Sequence, residues 1–302
     1  MAGARSGFEA GAAGNLVRAE VNADGSTVRL RLESRPQALT IVRGMLGGVA
    51  EALAFDPELL DDLKTSVSEA CNNVVLHAYG GEAGPMEVGL FIAEDRFSVS
   101  VSDQGVGMPA PPPAGDVIQG IGLSVIRALT EDVRFRSAPG GGTEVEMDFA
   151  VRRDGRSLFK APPPAIPDTE LPLTEEGDVV VSLSPVMLLP GVLGRLARTL
   201  AATAHFSLDR FSDVYLVTDT LAAHAASAAQ GHRIEARLSA EDRRLELFVG
   251  PFRKGTGSRL DVGTTDHPSS PLVLLSDQVS VRDAGDAGDA ELLHVVVIDH
   301  RR

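Results

Sequence analysis

An acidic side chain and a carboxamide lie one helical turn apart in the segment 60–77. Apolar residues recur there at three- and four-residue steps, which predicts an amphipathic helix. Glu69, Asn73 and His77 would then share one face of that helix, because residues four apart are neighbours on its surface. A carboxylate can accept a proton, and a carboxamide oxygen can bind a hard cation. The segment is therefore a candidate for acid–base chemistry beside a metal ion.

A strand and a glycine turn follow this helix. Residues 97–102 alternate strictly between apolar residues and serine, which predicts a strand with one buried face. Asp103 comes directly after the strand, and Gly105 and Gly107 follow it. Glycine permits positive φ and leaves room for close approach, so this turn is suited to contact with a flat ligand.

Two further glycine motifs occur where later elements begin. Gly120 and Gly122 open a second helical pattern, where free backbone amides form a natural cradle for phosphate. Glycines at 140–142 and Thr143 precede the alternating segment 144–149, which predicts another strand. The chain thus places one glycine motif at the start of a helix and another at the start of a strand.

These motifs, in this order and on these elements, resemble the N, G1, G2 and final Gly-x-Thr motifs of the GHKL (Bergerat-fold) ATPases. The resemblance covers residues 27–150. A single glycine pair would be weak evidence, whereas four motifs in the right order are specific. Within the superfamily, Ser-Glu-Ala-x-x-Asn around Glu69 and His-Ala-Tyr at 77–79 look most like the anti-sigma factor serine kinases. The implied fold class is α+β, a two-layer α/β sandwich, and the implied cofactors are ATP and Mg²⁺.

The resemblance implies a role for each motif residue. Asn73 would ligate Mg²⁺ through its carbonyl oxygen. Asp103 would accept a hydrogen bond from the exocyclic amine of adenine, which guanine lacks at that position. Thr143 would bond to the adenine edge. The other expected nucleotide-binding residues are Gly105, Val106, Gly107, Gly120, Gly122 and Leu123.

Glu69 is the residue that separates serine kinases from histidine kinases within this resemblance. A serine hydroxyl is a poor nucleophile until a base takes its proton, whereas the imidazole of histidine attacks without one. We therefore expect Glu69 to be the catalytic base for a serine or threonine acceptor. The resemblance implies an anti-sigma-factor-like protein kinase, which sequesters a sigma factor and phosphorylates a STAS-type anti-anti-sigma partner.

The predicted ATP lid carries no positive charge. No lysine or arginine occurs from Phe97 through Ile126, a span that includes the proline-rich lid segment 108–119. The lid therefore supplies no cation to a triphosphate. This favours an alternative reading, in which the protein is an ATP-liganded switch module that binds partners without transferring phosphate.

Composition limits the classes of function and the cellular compartments that remain. The formal net charge of −14 argues against direct binding of nucleic acid, because such proteins carry basic patches. The single cysteine, Cys71, excludes an internal disulfide, fits a reducing compartment and is expected to be a packing residue. No apolar run approaches the roughly 20 residues of a membrane span, and the first residues lack the apolar core of a signal peptide. We expect a soluble, cytoplasmic protein without a membrane partner.

The 302 residues suit two domains. We predict a mobile N-terminus at 1–26, an ATP-binding kinase-like domain at 27–152, a proline-rich acidic linker at 153–177 and a second domain at 178–302. The second half repeats the element order of the first, which predicts a tandem copy of the same fold.

This second copy is expected to be degenerate. Asp219 stands where Glu69 does, Ala223 replaces Asn73, and Gly250 replaces Asp103. Its first helix, at 187–204, is predicted to be interrupted at Pro190 and Gly191. Such a copy could take the second place of a homodimer within one chain, as an intramolecular pseudo-dimer. The alternative is that whole chains form a homodimer through their first copies.

Overall fold

A computed structural model describes residues 26–92, 97–107, 121–137, 141–150, 178–257, 270–284 and 289–300. The lid segment 108–119, Gly120, the linker 153–177 and nearly all of the N-terminal segment 1–26 lie outside the described residues. The predictions made for those segments stay predictions.

The first half contains five strands and three helices among its described residues. In chain order they are β1 (Ser26–Glu33), α1 (Ala38–Leu53), α2 (Pro57–Asn73), β2 (Pro85–Ile92), β3 (Phe97–Asp103), α3 (Ile121–Leu129), β4 (Asp132–Ser137) and β5 (Thr143–Phe149). The predicted helix around Glu69 is confirmed as α2. It begins where Asp56 caps it, since the Asp56 carboxylate accepts a 2.8 Å hydrogen bond from the amide of Glu58.

The described residues of the second half repeat this order. The elements are β6 (Val179–Ser184), α4 (Leu189–Thr203), α5 (Leu208–Ala228), β7 (Ile234–Glu241), β8 (Arg244–Arg253), α6 (Pro271–Leu275), β9 (Gln278–Ala284) and β10 (Ala290–Ile298). The predicted interruption of α4 is wrong. A 3₁₀ turn, Val186–Leu188, precedes α4, and Pro190 lies in its first turn, where a missing amide hydrogen costs nothing.

The strands of both halves form one antiparallel sheet of ten strands. Its order is β4-β5-β3-β2-β1-β6-β7-β8-β10-β9. Outward from the central β1–β6 pair, the first, second, fourth and third of the remaining strands of each half follow in the same sequence. In that central pair Leu30 lies opposite Val181. The long helices cover one face of the sheet, and α1 packs against α4 directly above the central strands. The arrangement is a mixed α/β fold in which the two halves meet edge to edge.

Two glycines allow α1 and α4 to pack closely. A Cβ atom on Gly48 would lie 2.3 Å from the carbonyl oxygen of Gly191, and one on Gly191 would lie 2.5 Å from that of Gly48. Distances below 3.0 Å are not tolerated by real Cβ atoms, so the two backbones touch here only because both residues are glycine. Arg195 adds a 2.7 Å ion pair to Glu51 at the edge of the same contact.

The segment Val186–Thr203 is the one described helix that is long and apolar enough to cross a membrane. Its apolar side chains are already used within the protein, because Val192, Leu193 and Leu196 are fully buried between the helices and the sheet. Core packing therefore accounts for the composition of this helix.

Candidate functional site

The side chains of Glu69 and Asn73 converge on the first turn of α3. A Cβ atom on Gly122 would lie 2.6 Å from Glu69 Oε2 and 3.9 Å from Asn73 Oδ1. Both side chains are half-buried, so they face a recess rather than open solvent. Glycine at 122 thus leaves the space beside the carboxylate open, and the structure brings together the two residues that sequence spacing placed on one face.

His77 does not join them. The helix changes to a π-helical turn over Val74–Ala78, directly after Asn73. A π turn has more residues per turn than an α-helix, so the side chains after Asn73 are rotated out of phase. His77 is consequently exposed, and the expectation that it shares the face of Glu69 is wrong.

The turn after β3 is fastened to the end of this π-helical turn. The Asp103 carboxylate, on a residue only 5 % exposed, accepts a 2.8 Å hydrogen bond from the amide of Gly105. The amide of Val106 donates to the carbonyl oxygen of Ala78 at 2.9 Å. A Cβ atom on Gly105 would lie 2.0 Å from that same oxygen, so only glycine fits. The side chain of Val106 is 84 % exposed at the tip of the turn.

The turn before β5 packs on the same backbone. Gly142 has φ +83°, and a Cβ atom there would lie 2.1 Å from the carbonyl oxygen of Asp103. Gly107, with φ +79°, lies against Gly142 from the other side. Thr143 therefore begins β5 half-buried beside Asp103. The structure thus packs the glycine turn after β3 against the glycine turn before β5, about forty positions further along the chain.

The described residues fit a magnesium-bound nucleotide. The carboxamide oxygen of Asn73, which lies beside Glu69 and Gly122, suits a hard cation. The Glu69 carboxylate packs directly against Gly122 in the first turn of α3, and Asp103 is a buried acidic residue at the end of β3. Leu123 is half-buried and packs against the core, so it fixes α3 rather than lining open space.

Tyr79 is a site residue to which sequence reasoning gave no role. Its hydroxyl donates to the carbonyl oxygen of Pro85 at 2.5 Å and accepts from the amide of Gln104 at 2.8 Å. Its ring covers Gly84, where a Cβ atom would lie 2.4 Å from the ring. Burial raises the pKa of the Tyr79 hydroxyl, so it remains a donor. Tyr79 therefore fixes the backbone that directly follows Asp103, and its place in the His-Ala-Tyr sequence was the available signal.

We predict that Tyr79→Phe weakens binding of Mg-ATP by roughly 2- to 10-fold, the cost of one hydrogen bond to a loop amide. The change removes the acceptor of the Gln104 amide and the donor to the Pro85 carbonyl oxygen, and it leaves the ring over Gly84 in place. Isothermal titration measures the affinity. The matched control is Tyr215→Phe, the other tyrosine of the chain, which lies on α5 and is 48 % exposed. Equal affinity of both variants and the wild type would remove Tyr79 from the site.

Cys71 takes no part in this chemistry. It lies on α2 between the two site residues, but its side chain is fully buried on the opposite, core-facing side. Burial raises the pKa of its thiol to about 12, so the thiol remains protonated and unreactive. The expectation of a packing residue is confirmed.

The second half places different residues at the equivalent helix positions from those expected. Ala54 and His205 both have positive φ, 51° and 60°, at the ends of α1 and α4, and the next helix begins three residues later in each half. Counting from them, Thr220 matches Glu69 and His224 matches Asn73. These positions differ by one residue from Asp219 and Ala223, which the sequence echo places opposite Glu69 and Asn73.

The strand register gives the equivalents of the two turns. Neighbouring core-facing residues lead outward from the Leu30–Val181 pair through Val88, Val101 and Val145 in one direction and through Ala236, Val249 and Leu293 in the other. Asp103 and Thr143 lie two residues beyond their pair, and Pro251 and Glu291 lie two beyond theirs. Counted along β8, Pro251 lies at the position of Asp103, but a register shift between Glu291 and Leu293 places Phe252, not Pro251, opposite Glu291.

Comparisons with known proteins match the half that contains this site. A model of the histidine kinase-like ATPase domain matches residues 32–149. The serine-protein kinase RsbW of Bacillus velezensis is 33 % identical over 127 residues, which are 37 % of this chain and 79 % of the relative. RsbW of Bacillus pumilus is 36 % identical over 42 % of this chain and 87 % of its own length. RsbW of Bacillus subtilis is 31 % identical over 41 % and 92 %.

Proposed function

The chain belongs to the GHKL ATPase superfamily and, within it, to the anti-sigma factor serine-protein kinases, and from this premise we propose that it is an ATP-dependent serine/threonine protein kinase of the cytoplasm. Its targets would be a STAS-type anti-anti-sigma protein, which it phosphorylates, and a sigma factor, which it sequesters. The observation that carries the proposal is the convergence of Glu69 and Asn73 on Gly122, beside the buried Asp103 turn.

The residues of the site divide the chemistry among themselves. When bound, Mg-ATP supplies the phosphoryl group, and its magnesium ion supplies positive charge that neutralises the negative charge of the phosphates during transfer. Asn73 would hold the cation through its carboxamide oxygen, and Asp103 would select adenine by accepting its amine hydrogen. Gly122 lets the first turn of α3 approach the Glu69 carboxylate closely. Glu69 would take the proton from the acceptor hydroxyl, which makes that oxygen nucleophilic.

A second candidate function rests on the absence of lysine and arginine from Phe97 through Ile126. Without a cation from its own lid, the site could hold ATP as a structural ligand and switch partner binding without transfer. The proximity of Glu69 to the phosphate-side glycine favours the kinase, because a switch has no use for a base there.

We also propose that the second half is a degenerate copy of the first and takes the second place of a dimer. The repeated element order, the sheet that is symmetric about β1 and β6, and the paired glycines of α1 and α4 support this. Thr220 and His224 in place of Glu69 and Asn73 would leave one working site per chain. The linker at 153–177 would make the contact intramolecular.

The proposed activity is tested by incubating the full chain with γ-labelled ATP, Mg²⁺ and a STAS protein encoded beside it. We expect label on one serine or threonine of the STAS protein, and no transfer to a version with that residue changed to alanine. ATP binding without any labelled protein would support the switch instead. Failure to bind ATP at all would contradict both functions.

A further inference from the structure

The loop that follows β8 binds a carboxylate of its own chain. The amide of Gly255 donates to Glu291 Oε1 at 2.7 Å, and the amide of Gly257 donates to Glu291 Oε2 at 3.0 Å. Gly255 has φ +78°, and the amide of Thr256 between the two donors bonds to the carbonyl oxygen of Arg253 at 3.1 Å, so the loop offers Glu291 the amides of residues 255 and 257. Glu291 is only 8 % exposed, so the carboxylate is enclosed by the loop.

The electrostatics of this contact favour an anion. The hydrogen bonds from the amides of Gly255 and Gly257 lower the pKa of the Glu291 carboxyl below its ordinary value. The charge of Lys254 acts in the same direction. Amides of a short backbone turn that point to one centre, here those of residues 255 and 257, form a nest, an arrangement that binds carboxylate and phosphate oxygens. The loop is therefore an anion receptor in which Glu291 is the anion.

The loop 254–257 occupies the place in the second half that the Asp103 turn occupies in the first half. Counted along its own strand, Glu291 lies at the position of Thr143, after a register shift that places it opposite Phe252, and the loop 254–257 follows β8 as the Asp103 turn follows β3. Beside it, the ring of His224, at the position of Asn73, packs against Phe252 with centroids 5.1 Å apart. In the second half these positions thus make contacts with one another, His224 with Phe252 and Glu291 with the loop 254–257.

We propose that the loop 254–257 is an oxyanion-binding nest whose resident ligand is Glu291, and that it binds a free carboxylate or phosphate ion when this side chain is removed. In the wild type the tethered carboxylate excludes external anions and holds the end of β8 against the start of β10. The inference rests on the geometry of the second half and is independent of kinase activity.

Chemical rescue of Glu291→Ala tests the proposal. In sodium chloride, we expect the variant to unfold at a temperature lower by on the order of 5 °C, because the loop loses charge-assisted hydrogen bonds. Replacing chloride by acetate or phosphate at equal ionic strength should restore part of that loss in the variant and change the wild type much less. The amide resonances of Gly255 and Gly257 should shift as either anion is added.

Two further variants keep the test decisive. Glu246→Ala removes a carboxylate from the open face of the same sheet, where its partners are His294 and Arg244 rather than amides. It should show no rescue by acetate or phosphate. Glu291→Gln keeps the volume of the side chain but loses its charge. It should therefore unfold at a lower temperature than the wild type, and acetate or phosphate should not restore that temperature. Equal anion responses of Glu291→Ala and wild type, or wild-type stability of Glu291→Gln, would overturn the proposal.

Discussion

Glu69→Ala should slow phosphate transfer to the STAS protein by roughly 10²–10⁴-fold, the range for loss of a general base. Binding of Mg-ATP should remain close to that of the wild type, because the proposed nucleotide contacts come from other residues. Single-turnover transfer and a separate binding titration distinguish the two effects. The loss should shrink as pH rises, since hydroxide increasingly replaces the missing base.

Two control variants test whether the effect on transfer is specific to Glu69. Asn73→Ala, one turn along the same face, should weaken magnesium-dependent binding and transfer together, because the metal contact serves both. Glu58→Ala removes an exposed carboxylate from the first turn of the same helix and should change neither. Transfer by Glu69→Ala at the wild-type rate would exclude Glu69 as the base.

Gly48→Ala should separate or strain the contact between the two halves and lower the free energy of unfolding by about 1–3 kcal/mol or more, the usual cost of overpacking. The added Cβ would lie 2.3 Å from the backbone oxygen of Gly191, and backbone cannot rotate away as a side chain does. Chemical denaturation of the purified chain measures the change.

Gly44→Ala is the matched control on the same face of α1. A Cβ atom there would lie 3.5 Å from Thr199 Oγ1, an ordinary contact. Alanine also favours helix over glycine by up to about 1 kcal/mol, so this variant should be as stable as the wild type or more so. Comparable destabilisation of both variants would show that the close Gly48–Gly191 contact is not what limits the packing.

The same contact predicts the oligomeric state. Because β1 already pairs with β6, and α1 already packs on α4, these surfaces are not available to a second chain. We expect the wild type to sediment with Mg-ATP as a monomer near 31.7 kDa. A stable two-chain species that pairs first half with first half would refute the pseudo-dimer.

The sequence by itself determined the family and most of the first site. Helical spacing placed Glu69 and Asn73 on one face, and strict alternation marked the strand that ends at Asp103. These signals are local, since a helix repeats every 3.6 residues and a strand every two, so residue types at short spacing carry them. The motif glycines were also visible, although their contacts were not.

Only the tertiary structure decided how the halves meet and what fills the second one. The Gly48–Gly191 contact joins residues 143 positions apart, and the Glu291 nest joins strands separated by α6 and β9. Neither contact follows from local periodicity. Placing His224 and Pro251 also required the shared positive-φ positions and the sheet register, because a one-residue shift leaves a weak sequence echo nearly unchanged but turns every strand side chain to the other face.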